Sequence, residues 1–192
     1  NTNIVSAGAL NITGISVATV SGATRGVTLG KGNYTAVGDI TVTGTGSPTN
    51  LGDVILSDAT LTSSTGSIKL YGTNDLGSFY TYGTNVLNAE VDINLFLNKI
   101  YLTANTIAFN AKNDVSFLSK VGLSTFGLGI VFDSGITFGP NVQSLTIGNT
   151  TNDQLITINT PLSIGGPISI YGGSIDVNAN ITATGGDILL DA

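Results

Sequence analysis

Cysteine and histidine are both absent from this chain. Without cysteine there is neither a disulfide framework nor a thiolate zinc site, and without histidine the commonest metal ligand and general base is missing. Charge is scarce as well: Asp, Glu, Lys and Arg make up 9% of the residues, where an ordinary soluble domain carries about a quarter. The twelve carboxylates and six cations are scattered without a run of either sign, and the net charge of -6 argues against nucleic acid as a partner. The longest mostly apolar stretch, "VGLSTFGLGIVF" (121–132), is too short for a membrane span and is broken by three glycines, so no membrane insertion is expected. The opening residues, "NTNIVSAGAL", have no basic segment followed by a long apolar run and read as no signal peptide; both termini read as cut from something longer.

Apolar residues account for 41% of the 192, ample for a core, while 26 glycines and an abundance of Asn, Thr and Ser supply the rest. Polarity is therefore carried by neutral side chains. Apolar and polar residues alternate in "DITVT" (39–43), "SIKLY" (67–71), "DVSFL" (114–118) and "QLITI" (154–158), a period of two that means strands. No stretch of twelve residues keeps helical apolar spacing free of Gly or Pro. The chain is expected to be all-β.

Short words recur. Gly38-Asp39-Ile40, Gly52-Asp53-Val54 and Gly66-Ser67-Ile68 mark strand starts at intervals of 14, and the word returns as Gly166-Pro167-Ile168, Gly173-Ser174-Ile175 and Gly186-Asp187-Ile188. A longer form appears at 67–72, 106–111, 167–172, 174–179 and 187–192, with isoleucines at 68, 107, 168, 175 and 188. These intervals predict faces of six or seven residues and a coil of about 20 residues with three short faces. That is the geometry of a right-handed parallel β-solenoid, or β-helix, whose coils stack ~4.8 Å apart. Gly and Asn tolerate the corners, and stacked corner Asn side chains can bond their own kind where like charges would repel. About nine coils would make a rod of roughly 45 Å. A sandwich would instead show hairpin turns and longer antiparallel strands. Residues 1–192 are read as one solenoid segment of a longer repeat protein, with 71–87 and 120–141 expected as loops or irregular coils.

Few residues offer chemistry. Glu90 and Asp92 are the one pair of acids two apart, a spacing of ~7 Å on a strand that falls within the range of inverting glycosidases, yet no second pair or Arg supports catalysis. A solvated strand face beside Lys99 is the simpler reading. Asp187 and Asp191 flank "ILL" and would form a calcium column only if repeated, and the nonapeptide of such columns is missing. "GLGIVFDSG" (127–135) lacks the helix and Lys of a phosphate loop. No catalytic residue, metal ligand or cofactor is assigned. Thr-x-Thr pairs at Thr41/Thr43, Thr43/Thr45, Thr60/Thr62 and Thr182/Thr184 would bind ice only if repeated in register in every coil. Sequons at Asn11, Asn33, Asn149 and Asn180 follow from Asn and Thr abundance. Tyr71, Phe79, Tyr80 and Tyr82 bring four of thirteen aromatics into twelve residues. Exposed, they form a candidate contact surface for sugars or a neighbouring rod; buried, they plug the core.

The words "GGPISIYGGSIDVNANITATGGDILLDA" (165–192), "IYLTANTIAFNAKNDVSF" (100–117) and "SLTIGNTTNDQLITINTPLSIGGPISIYGG" (144–173) resemble repeats of filamentous-haemagglutinin-like adhesins and related giant bacterial β-strand-repeat surface proteins. The resemblance implies an extracellular or cell-surface bacterial rod that adheres to cells, surfaces or sister rods, without catalysis. It carries over no site residues, because the matching words specify strands and corners only. Expected partners are neighbouring coils or copies end to end, and host or surface glycans. The alternatives are a carbohydrate- or ice-binding solenoid and a polysaccharide-active β-helix enzyme.

Overall fold

The computed structural model describes residues 2–16, 25–46, 53–74, 78–102, 106–119, 129–133 and 135–192. Among them are 23 strands and no helix. Coil 1 comprises β1 (Thr2–Ser6), β2 (Leu10–Ile15) and β3 (Val27–Leu29), and coil 2 comprises β4 (Gly32–Ala36), β5 (Ile40–Thr45) and β6 (Val54–Ser57). Coil 3 follows as β7 (Ala59–Ser63), β8 (Ile68–Gly72) and β9 (Ser78–Tyr82), and coil 4 as β10 (Thr84–Ala89), β11 (Ile93–Phe96) and β12 (Lys99–Leu102). In coil 5 are β13 (Thr106–Ala111), β14 (Asp114–Leu118) and β15 (Ile130–Phe132); in coil 6, β16 (Ile136–Phe138), β17 (Ser144–Ile147) and β18 (Leu155–Ile158). Coil 7 has β19 (Leu162–Ile164), β20 (Ile168–Tyr171) and β21 (Ser174–Val177), and an eighth begins with β22 (Ile181–Ala183) and β23 (Ile188–Asp191).

Every strand pairs in parallel with the third one before or after it in sequence. Three flat faces result, as the sequence predicts for a parallel β-solenoid. Face A runs β1-β4-β7-β10-β13-β16, with β19 and β22 as a separate pair placed beside β16. Face B is one ladder of eight strands, β2-β5-β8-β11-β14-β17-β20-β23, and face C runs β3-β6-β9-β12-β15-β18-β21.

The alternating pattern sends one residue in two inward, and register stacks those residues into rows. On face B, Leu10, Ile40, Ile68, Ile93, Val115, Leu145, Ile168 and Ile188 form one row, and Ile12, Val42, Leu70, Leu95, Phe117, Ile147, Ile170 and Leu190 form the next. Between the end coils these side chains are fully buried. Coil 5 brings a phenylalanine inward from each face. Phe109 meets Phe117 edge to face with centroids 5.2 Å apart, and Phe117 meets Phe132 likewise at 5.3 Å, the geometry that ring quadrupoles prefer.

Two corners are short. Between face A and face B, backbone bonds such as Gly38 N–H to Gly8 O (3.0 Å) and Asn113 N–H to Val91 O (3.0 Å) carry the ladder round the bend. Between faces C and A a single residue suffices twice, at Asp58 and Gly83, both with positive φ (53° and 66°). The Asp58 carboxylate accepts the Thr84 N–H at 2.9 Å and lies where a Cβ on Gly83 would sit, so Gly83 has no room for a side chain. Further along the same corner Asn178 donates to Asn159 (2.9 Å) and Asn159 to Asp133 (2.7 Å), an amide ladder of the expected kind.

The third corner, from face B to face C, absorbs nearly all variation in coil length. Its connections run from 2 to 11 residues, against 1 to 5 at the other two. Coil spacing along face B consequently ranges from 30 (Leu10 to Ile40) to 20 (Ile168 to Ile188). The 20-residue period holds only for the last coil, whose B-to-C connection in the preceding turn is two residues long. The rod has seven complete coils and two strands of an eighth, fewer than the nine a uniform short period predicts, because insertions lengthen the others.

The expectation of loops or irregular coils at 71–87 and 120–141 is corrected where strands run through them; 73–74 and 139–141 do lie in connections, and 75–77 lie outside the described residues. Ser78–Tyr82 and Thr84–Ala89 are rungs of faces C and A, with Phe79 stacked in the core between Val54 and Ile100. These strands join through Gly83 rather than through the usual Gly-containing strand-start word, which hid them. In the second segment β15 and β16 are rungs too, while residues 120–128 and 134 lie outside the described residues.

Candidate functional site

The aromatic cluster does not form one surface. Strand alternation in β9 turns Phe79 into the core, where it is fully buried, and sends Tyr80 and Tyr82 outward on face C. Tyr71 stands on face B, on the outer side of β8. Its ring lies parallel to that of Phe96 in the next coil, with centroids 4.8 Å apart and planes 5° apart. That separation is the rise of the ladder itself. Thr43 is its neighbour on the other side, and Leu118 follows Phe96. One π face of Tyr71 is thus covered by a sister ring, leaving a poor platform for a sugar. Tyr80 is half-buried; burial raises its phenol pKa, partly offset by a hydrogen bond from Ser78. Tyr82 is exposed, so of the four only Tyr80 and Tyr82 share the outer side of one face.

Glu90 and Asp92 do not lie on a strand but on the bend between β10 and β11. Glu90 forms an ion pair with Lys112 of the next coil, and Asp92 Oδ1 accepts the Asp114 N–H at 3.3 Å. Lys99, expected beside them, is on face C, where burial lowers its pKa. At the same corner two coils earlier, Asp39 binds Lys69 at 2.7 Å and accepts the Ser67 N–H at 2.9 Å. The Lys69 hydrogen bond, followed by that of Ser67, holds the Asp39 carboxyl below its ordinary pKa, and Asp39 in turn raises that of Lys69. Both ion pairs clip successive coils together, which engages these acids structurally.

Asp187 and Asp191 bracket β23; their carbonyls accept the N–H groups of Ile168 and Gly172. Asp191 lines a shallow groove with Asn149, Asn152 and Asp153. The described residues contain no group of three or more His, Cys, Asp or Glu able to hold a metal ion. Thr41 and Thr43 face outward with Asn11 and Thr13 below and Lys69 and Tyr71 above. Thr60 and Thr62 have Asn33 and Thr35 below and Val86 and Asn88 above. Neither pair recurs in register in adjacent coils. Of the sequon asparagines, Asn11, Asn33 and Asn180 are exposed, while Asn149 is half-buried and donates to Ser119.

Sequence reasoning missed the residues that build the variable corner. Asp53, only 1% exposed, accepts the Gly46 N–H through Oδ1 (2.6 Å) and the Asn74 N–H through Oδ2 (2.9 Å), and Asn74 donates to Gly46 O (2.9 Å). A buried carboxylate holding two backbone donors ties coils 2 and 3 where the chain leaves the ladder. Gly14, Gly44 and Gly72 stack in register at the end of face B and let the returning chain approach: a Cβ at Gly72 would lie 2.8 Å from the Asp53 carboxylate, one at Gly44 1.8 Å from the Asp53 backbone carbonyl oxygen, and one at Gly14 2.2 Å from that of Gly26. The glycine column was visible in the sequence only as composition. No family model, curated protein or solved structure matches the chain.

Proposed function

We propose that the chain is a structural and adhesive segment of an extracellular bacterial β-solenoid, extended at its ends by further coils of its own kind, as its resemblance to filamentous-haemagglutinin-like repeats implies. One observation carries the reading. Inward-facing apolar residues of the end rungs are open: Ile4 is exposed at one end, and Val177, Ile188 and Leu190 at the other. Open parallel edges over an apolar cross-section are a template for another coil. In supplying that coil, a second copy would bury rows that continue those of the rod. The engaged acids at the corners fit a scaffold better than a hydrolase.

Electron microscopy and small-angle scattering across a concentration series test this. One chain stacks eight rungs, ~38 Å of rod. The expected result is rods in multiples of that length, reduced to single units by Ile188→Asp with Leu190→Asp. A parent chain that stays a single unit at every concentration sinks the proposal.

A further inference from the structure

We propose that face A is a lateral docking surface for a second copy of this chain, distinct from the open ends and independent of what stacks there. None of the eight strands of this face, from β1 to β22, contains a charged residue. The other faces do carry charge within their strands: Lys69, Asp114 and Asp191 on face B, Lys99 and Asp176 on face C. Two copies of a chain with net charge -6 repel in general. Face A is where that repulsion is weakest, because charges sit only at its bordering corners, where Asp39 is paired with Lys69 of face B and Glu90 with Lys112.

The outer side chains are short and stand in ranks. Thr60, Val86 and Ala108 form one rank and Thr62, Asn88 and Asn110 the other, all half-buried. Such ranks let a facing sheet approach to ~10 Å, the ordinary spacing of stacked sheets. Their polar groups are also occupied by one another. Asn110 donates to Asn88 at 2.8 Å, Asn88 to Thr62 at 3.3 Å, and Thr106 to Thr84 at 3.2 Å. Polar groups satisfied along the rod are not orphaned when water is removed, which lowers the desolvation cost and favours a protein partner over a hydrated surface.

Size sets the strength. Eight rungs of ~4.8 Å and a width of five residues at ~3.3 Å give roughly 600 Å² per copy, so about 1,200 Å² in total, the lower bound of stable interfaces. The contact is therefore self-complementary, weak and concentration-dependent. Its geometry doubles the cross-section of the rod, whereas end stacking multiplies its length.

Light scattering and the cross-sectional radius from small-angle scattering read the two separately. Thr60→Lys with Ala108→Lys charges face A at positions two rungs apart, and Ser116→Lys with Ser169→Lys, also two rungs apart, is the matched control on face B, both variants being checked for unchanged far-UV circular dichroism. The parent is expected to widen with concentration. The face A lysines should raise the midpoint of widening by at least about ten-fold through like-charge opposition, and the face B lysines by less than about two-fold. A parent that keeps the cross-section of one rod into the millimolar range, or face B lysines that disperse the pair as well as face A lysines do, overturns the proposal. Elongation without widening refutes it while leaving end stacking intact, and widening without elongation does the reverse.

Discussion

Replacing Phe109 by alanine removes a ring from the point where the three faces of coil 5 meet. Phe109 is fully buried, touches Phe117 edge to face, and stacks on Phe138 of the next coil with centroids 5.8 Å apart. Truncating a buried Phe costs about 3–5 kcal/mol, a large part of the ~5–15 kcal/mol that holds a domain together. Collapse cannot recover much of this, because the surrounding rows belong to strands pinned by ladders on both sides. Where the loss is felt matters as much as its size. Each coil contacts only its neighbours, so the damage should stay local, unlike in a globular core. Urea unfolding should show the loss, and native-state hydrogen exchange should show protection falling in β10, β13, β14 and β16 while β4 and β5 keep theirs. Phe109→Leu, which retains most of the volume, should cost less than about 1.5 kcal/mol. Protection that falls equally from coil 2 to coil 7, or a cost below ~1 kcal/mol for the alanine variant, would refute the account of a row-by-row core.

Three further outcomes are expected. Gly83→Ala places a Cβ at φ 66° against the Asp58 carboxylate and should destabilise by at least ~2 kcal/mol in chemical denaturation, since the left-handed conformation alone costs roughly 1–2. Asp53→Asn keeps the shape but turns an NH₂ toward one of two backbone donors; a loss of about 1–3 kcal/mol is expected, with the largest rise in exchange at Gly46 and Asn74. The Asp39–Lys69 pair makes stability pH-dependent at both extremes. The lowered Asp39 pKa contributes above the unfolded carboxyl value near pH ~3.9 and is lost as pH falls through the folded value. The raised Lys69 pKa contributes below its unfolded value near ~10.4 and is lost as pH rises through the folded one. Both side chains are more than a third exposed or close to it, so Lys69→Met should change stability at pH 7 by less than ~1 kcal/mol and shrink the difference between pH 7 and pH 3.

Much of this fold could be read before it was seen, for a physical reason. A strand declares itself by alternation over four or five residues, and "GGPISI" and "GGDILL" declare a coil because Ile168 and Ile188 sit one above the other with no insertion between them. Where the connection after face B lengthens, the spacing that reveals stacking disappears although the strands remain, which is why the coil period was underestimated. "SFYTY" misled in another way: aromatics on both sides of one strand look like a cluster, yet the pleat sends Phe79 in and its neighbours out. The neutrality of face A was not legible at all. It emerges only when every third strand is set side by side, because its eight strands are separated in the chain by the strands of the other two faces.

Because length changes collect at one edge, the rod works as a ruler with a spare margin. The two 11-residue connections leave from β2 and β14, four rungs apart, a distance of roughly 19 Å set by backbone hydrogen bonds alone. Doubling such a connection costs only ~0.6 kcal/mol in closure entropy and leaves the rows inside untouched. Length at that edge can therefore vary outside anchors such as Asp53 and Leu97, while the spacing of the strand ends it joins stays fixed by the ladder.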